Sequence, residues 1–265
     1  MGLQNWVQAH FTESTWLILQ VDLRNAFNCI HREPIFEEIG RLAPELIPWV
    51  SICYGQHSPL YAQGHRLNSR CGVQQGDPLG PLLFAIAWHR VVQRLPGDLQ
   101  LNVWYLDDGH LVGSPGALAK AFEIIGTEGA PMVVTVNTDK CKLWGPAPLP
   151  PDTALQGVPQ VPWSAGTGLR VLGLPIQHPL STSFRQHQLH QVVSQLQDAC
   201  SLLGHLGDPQ VQHLLLRYCL DACRVMHLLR GIDCTALLSE VGTASACVRA
   251  CLGDALGCQK LSDTE

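Results

Sequence analysis

The sequence predicts an α+β protein: an antiparallel sheet with helices on one face over residues 1–180, then a helical region over 181–265. Three observations predict it. Residues 101–113, LNVWYLDDGHLVG, are two short apolar runs around a polar break with glycine. That is the pattern of a β-hairpin, expected to turn at Gly109 and to hold Asp107 and Asp108 at its tip. Residues 15–22, TWLILQVD, form a dense apolar run that ends in one carboxylate, as a strand buried on both faces does. From about Ser183 the apolar period becomes helical, through Leu189, Val192, Val193 and Leu196, then across 211–229 and a final Cys-rich segment.

Composition narrows the class. Of 265 residues, 46% are hydrophobic and 15% charged, enough apolar surface for a sizeable core and too little charge for a disordered chain. The net charge of −5 lacks the basic signature of an autonomous nucleic-acid binder. Eleven cysteines, an odd count, with no hydrophobic signal segment at the start, point to a reducing, intracellular setting, nucleus or cytoplasm, rather than a disulfide framework. Cys219, Cys223 and His227 share one helical face, and Cys247 and Cys251 repeat the spacing. Small buried hydrophobes explain that pattern better than zinc does. The longest apolar run, 79–92, is interrupted by His89 and Arg90, so no membrane span is expected.

The elements follow in order. Residues 1–15 read as an incoming helix, and a turn with a short helix follows Asp22. Residues 34–42 and 44–54 read as helices, each with Pro in its first turn, where a missing N–H costs nothing. Residues 60–67 read as one strand. The glycine-rich stretch 72–84, GVQQGDPLGPLLF, is expected to use Asp77 as a cap and Pro78 as the first residue of an apolar helix to about Leu95. After the aspartate hairpin come a helix at 115–126, a strand at 132–137 and a pair of lysines, Lys140 and Lys142. The Pro-rich stretch 145–163 has no periodicity and reads as a surface loop. Residues 168–176, GLRVLGLPI, are a strand or hairpin containing glycine, and the tail 259–265 is expected to fray.

Asp-Asp-Gly alone suits an ordinary turn, because Asp and Gly favour turns for conformational reasons. Two adjacent carboxylates also repel, and a cation between them relieves that repulsion. The order of motifs decides the reading. QVDLRNAF, GVQQGDPLGPLLF, YLDDG, NTDKCKLWG and LRVLGLPI, in that order over about residues 15–180, resemble the palm of reverse transcriptases. The resemblance is to those of non-LTR retroelements and group II introns, with a thumb-like helical region after the palm.

The resemblance implies RNA-directed DNA polymerisation on an RNA template and DNA primer, with dNTPs as substrates. It implies Asp22, Asp107 and Asp108 as ligands of Mg²⁺, with Mn²⁺ as an alternative, because hard cations prefer carboxylate oxygens. Phe27 matches the aromatic gate that excludes a ribose 2′-hydroxyl, although a Phe on a short helix also suits a core. Gln75 and Gly76 match the turn that supports nucleotide and template, and Arg24 joins the nucleotide-binding set. Lys140 matches the proton donor to pyrophosphate, with a solvated surface role and the nearby Lys142 as rivals.

The chain departs from the family where a basic fingers region would precede the first motif, since only about twenty residues stand there. An upstream segment or a partner chain would then supply it. Gly80 stands where the family often has Ser, and Arg24, Arg66 and Arg70 are scattered rather than clustered. A catalytically silent remnant that binds nucleic acid or protein is the alternative reading. Asp22 and Asp107 are expected to converge across adjacent strands.

Overall fold

In the computed structural model, which describes residues 2–220, 223–231 and 238–258, helices and antiparallel sheets alternate as the sequence predicts. The chain divides into two compact units, Thr12–Pro162, and Met1–Phe11 with Trp163–Glu265. This division falls before the glycine-containing hairpin, whereas the sequence pattern places a boundary near residue 180. The reason is packing: the hairpin lies against helices of its own unit.

Helix α1 (Gly2–Ala9) belongs to the second unit. The first unit opens with β1 (Leu17–Val21), β2 (Leu23–Arg24) and the short α2 (Ala26–Cys29). Helices α3 (Arg32–Leu42) and α4 (Ile47–Tyr54) follow, then β3 (Ser58–Ala62), β4 (His65–Ser69) and α5 (Gly80–Val92). The unit closes with β5 (Leu101–Tyr105), β6 (Asp108–Gly113), α6 (Pro115–Gly129), β7 (Thr135–Val136) and β8 (Lys142–Trp144).

Its main sheet runs β5-β6-β1-β8, all antiparallel, with β1 central. Leu17, Leu19, Val21, Leu111 and Leu143 form one face and share a core with Leu83, Phe84, Ala87 and Trp88 of α5 and Leu118, Ala121 and Ile125 of α6. Ile18, Val112 and Trp144, on the alternate positions, are buried as well, which is why residues 15–22 read as a dense apolar run with little alternation. Helix α6 starts where Ser114 Oγ accepts the Ala117 N–H at 3.2 Å, with Pro115 in the first turn.

Four local expectations change. The aspartate hairpin turns at Leu106-Asp107, because Tyr105 pairs with Asp108, and Gly109 lies within β6 opposite both Trp104 and Val21. Leu106 takes the left-handed φ of 59° that the tight turn needs. Residues 60–67 are not one strand but the arms of a hairpin, β3–β4, reversed at Gln63-Gly64, both at positive φ. Residues 132–137 keep only Thr135–Val136 as strand, since Val133 is left-handed after a 3-10 turn. Asp77 does not cap α5; its carboxylate accepts the Leu79 N–H at 3.0 Å, and α5 begins at Gly80 with Pro81 in its first turn.

The second unit holds β9 (Gly168–Val171) and β10 (Leu174–Gln177), a hairpin turned at Leu172-Gly173. Gln4 of α1 bonds the Gln177 backbone in both directions, at 3.2 and 2.9 Å. Helices α7 (Ser183–Leu203), α8 (Pro209–Leu215), a π-helical turn (Leu216–Leu220), α9 (Cys223–Gly231) and α10 (Leu238–Leu256) follow. Their core joins Leu189, Val193, Leu196, Leu203, Leu216 and Leu228 with Cys200 and Cys251. Burial pushes the Cys200 thiol up to about 12, so it packs as a small hydrophobe. Cys219 is exposed, contrary to the expected core role. His227 Nε2 lies 2.8 Å from the Leu172 carbonyl oxygen, which fixes the ring on the hairpin turn. The side chain of Cys223 and the tail 259–265 lie outside the described residues. No helix among the described residues is long and apolar enough to cross a membrane.

Gly109 has no room for a side chain. A Cβ there would stand 2.7 Å from two ring carbons of Trp104. Gly109→Ala should therefore lower stability by about 1–3 kcal/mol through overpacking, read as a lower urea midpoint at unchanged slope.

Candidate active site

The β1–β6 register places the three aspartates. Pairing runs from Leu17↔Gly113 to Val21↔Gly109, and Asp22 follows the last pair just as Asp108 precedes it. Asp22 also stands where the chain changes partners: β1 pairs with β6 and β8, whereas β2 pairs with β7. The Asp22 carbonyl accepts the Asn137 N–H at 2.8 Å, and its N–H points to Cys141 Sγ at 3.4 Å. This aspartate is thus held at both backbone ends, with a buried thiol beneath it. Burial and the Asp22 charge keep that thiol protonated above its ordinary range.

Asp107 and Asp108 lie in a setting that disfavours their charge. Burial, then the charge of Asp22, raises the Asp107 carboxyl above the ordinary range. Burial, then the charges of Asp107 and Asp22, raises that of Asp108. The register sets Asp22 beside Asp108, with Asp107 on the turn before it, although among the described residues no three acidic, histidine or cysteine side chains are gathered closely enough to hold a metal ion. The side chains of Lys140 and Arg24 are exposed, and neither is among the charges that shift the Asp107 and Asp108 carboxyls. Lys140 stands on the Asn137–Cys141 turn, whose N–H groups of Lys140 and Cys141 converge on the Asn137 carbonyl.

An aromatic row links the hairpin to α2. Trp104 lies on Gly109 and meets Trp88 edge-on at 5.7 Å; Trp88 follows Phe84 at 6.3 Å; Phe84 stacks on Phe27 at 4.6 Å and 17°. Phe27 is half-buried. One part of the ring is therefore core, as the simpler expectation had it, and the remainder is open.

The Gln75-Gly76 turn is held by residues that sequence reasoning did not single out. Gly72 and Val73 donate to the carbonyls of Ile30 and Phe27, both at 2.7 Å. A Cβ on Gly72 would meet the Asn28 carbonyl oxygen at 2.5 Å, so only glycine permits this approach. The Tyr54 hydroxyl accepts the Gln74 N–H at 3.2 Å and donates to the Asp77 carboxylate. Burial and that hydrogen bond push Tyr54 up to about 12, so it stays a donor. Arg32, only 7% exposed, lies 5.2 Å from the Tyr54 ring centroid. It donates to the carbonyls of Gly72, Cys71, Tyr54 and Gln56 and to Ser69 Oγ. Gln75 and Gly76 themselves are exposed, beside an open cleft of about 530 Å³ lined by Cys53, Tyr54, Gln74 and Asp77.

The family model for reverse transcriptase (RNA-dependent DNA polymerase) matches residues 3–204. The chain belongs to the reverse transcriptase family. Solved structures similar to it include apo telomerase from Candida tropicalis truncated from its C-terminal domain, at 14% identity and TM-score 0.41. That match covers 53% of this chain and 34% of that one. Another is telomerase from Candida albicans in complex with a TWJ fragment of telomeric RNA, at 14% identity and TM-score 0.42, covering 96% and 46%. The chain thus spans less than half the length of either. No curated protein matches it.

Folding raises the Asp107 and Asp108 carboxyls, so their ionisation opposes folding. Stability from this source is fully present below the ordinary carboxylate range and is lost as pH rises through the raised values. In chelator, Asp108→Asn should raise Tm at neutral pH by a few degrees, at about 2–4 °C per kcal/mol for a chain of this size. The gain should shrink toward about pH 4, where the unfolded carboxyl is itself half protonated. A scan of Tm against pH for both proteins checks the sign and the window.

Proposed function

We propose that the chain carries out RNA-directed DNA polymerisation, as a retroelement-type reverse transcriptase of the non-LTR and group II intron kind. The observation that carries this reading is the register that sets Asp22 beside Asp108 at one end of β1 and β6, with Asp107 on the adjoining turn. The donor set is hard oxygen throughout, and two of the three carboxyls are raised by burial and like charge. That is the environment a divalent cation relieves, and Mg²⁺, or Mn²⁺ in its place, suits it. Asp22 and Asp107 are its principal ligands in this reading, with Asp108 as the third. Two bound cations would activate the nucleophile and neutralise charge on the phosphates.

The reaction is in-line attack of a primer 3′-hydroxyl on the α-phosphorus of a dNTP. The O3′–P bond forms and the bond to the pyrophosphate oxygen breaks. The chain's own residues mainly position the reactants, as phosphoryl transfer requires. Gln75 and Gly76 present backbone to nucleotide and template on a turn that Tyr54, Gly72 and Arg32 hold still. The open part of the Phe27 ring, steadied by Phe84, stands against the sugar and excludes a 2′-hydroxyl. Lys140 on its exposed turn gives a proton to the departing pyrophosphate, and Arg24 adds positive charge for the triphosphate.

One observation favours a second reading, a silent remnant that only binds. The net charge of −5 offers little to a phosphate backbone. A primer-extension assay on a primed RNA template with Mg²⁺ separates the two. Extension that Asp107→Ala abolishes supports the polymerase; binding without extension in the unsubstituted chain supports the remnant. A metal readout stands apart from activity: excess Mg²⁺ should raise Tm of the unsubstituted protein and leave that of Asp107→Ala unchanged. In an active preparation, Phe27→Ala should admit ribonucleotides. Unchanged discrimination between dNTP and rNTP, with folding verified by circular dichroism, would return Phe27 to the core alone.

A further inference from the structure

From Leu46 to Gly76 the sequence holds no Asp or Glu, although the chain as a whole is at −5. Arg66 and Arg70 are the formal charges of that stretch, with His57 and His65 beside them. The fold gathers what the sequence leaves scattered. The stretch contains α4, the β3–β4 ribbon and the turn with Gln75 and Gly76.

The ribbon is open on both faces. Tyr61 is 75% exposed and pairs across the strands with Arg66, so an aromatic ring and a guanidinium stand side by side on one face. Leu60 and Leu67 pair on the other face, at 48% and 55% exposure. Among the described residues no carboxylate pairs with Arg66 or Arg70. An isolated two-stranded ribbon is marginal in water, and exposed leucines on it mark a surface that is covered in use.

Its base, however, is fixed. Arg32 bonds Tyr54 and Gln56 before β3, Ser69 at the end of β4, and Cys71 and Gly72 after it. The same side chain thereby ties the ribbon to the segment that runs into Gln75 and Gly76. An exposed aromatic beside an unpaired guanidinium, in a stretch free of acids, is the chemistry that receives unpaired bases and their phosphates.

We propose that the β3–β4 ribbon is a docking face for the unpaired stretch of a template strand, with Tyr61 stacking on a base and Arg66 on a phosphate. This rests on the polymerase reading above. A protein partner is the less favoured occupant, because the face couples one ring to an uncompensated cation rather than presenting a broad apolar core. The cleft at the ribbon's base mixes Arg70 and His57 with Glu33 and Glu37, so the assignment is to the outer part, Tyr61 and Arg66.

The test uses the full chain and fluorescence anisotropy with two RNA-templated primer duplexes, one blunt and one with unpaired nucleotides at the template 5′ end. The unsubstituted chain should bind the overhang probe more tightly than the blunt one. Tyr61→Ser should lose about tenfold on the overhang probe and nothing on the blunt one, in line with the size of one base–aromatic stack. Arg66→Gln should flatten the salt dependence on the overhang probe by about 0.7 in slope, one phosphate's worth for a single strand. Both positions are exposed, so circular dichroism should show folded variants. Equal loss on both probes, or no loss on either, would overturn the ribbon assignment while duplex binding leaves the polymerase reading standing. A self-association that Tyr61→Ser dissolves would overturn it too, in favour of a protein face. Absence of binding to both probes would sink both readings.

Discussion

The pairing of Val21 with Gly109 is the contact on which the candidate site depends. Side chains alternate along a strand, so a slip of one residue between β1 and β6 would send every side chain of one strand to the opposite face. Asp22 would then part from Asp108, and Leu19 and Leu111 would no longer share one face of the sheet. The hydrophobic pattern that fixes the core therefore also fixes the carboxylates. Their mutual repulsion is opposed by the burial of Leu17, Leu19 and Val21 in the same strand. At about 1.5–3 kcal/mol for each buried side chain of this size, the packing outweighs the repulsion of partly solvated charges. Gly109 contributes by absence, since Trp104 fills the space its side chain would need and extends the aromatic row to Phe27.

Much of this was legible in the sequence because it is local. The apolar run before Asp22, the two runs around Asp107-Asp108 and the change of period near residue 183 each declare an element within about ten residues. The corrections share one cause. Gly109 reads as a turn residue from its neighbours alone, but close approach of Trp104 is what calls for glycine there. Residues 60–67 read as one strand because Gln63-Gly64 is a two-residue reversal without the Asn-Gly or Asp-Gly signature. The supports of the Gln75-Gly76 turn were not legible at all. Arg32 meets acceptors 22 to 40 residues away, and Tyr54 reaches Gln74 and Asp77 across 20 and 23. No periodicity announces contacts of that separation.

The residues proposed for catalysis divide by how they are held. Asp22 and Phe27 are fixed through backbone and ring contacts, and the Gln75-Gly76 turn through Tyr54 and Gly72. The side chains of Lys140 and Arg24 are exposed. A proton donor must come within hydrogen-bond reach of the leaving oxygen, so an exposed side chain takes up that position only with the nucleotide bound. A cation ligand or a steric gate has to be in place beforehand, since displacement by about 1 Å is enough to lose much of the rate.

The acceptors of Arg32 are four carbonyls and one hydroxyl, all uncharged. A guanidinium does not lose its proton at any ordinary pH, and its partners have no charge for salt to screen. The Arg32 contacts are thus indifferent to acidity and ionic strength, whereas the aspartate cluster responds to both. The molecule carries its own internal standard: the carboxylates record the ionic surroundings, and the Arg32 anchor keeps its contacts regardless.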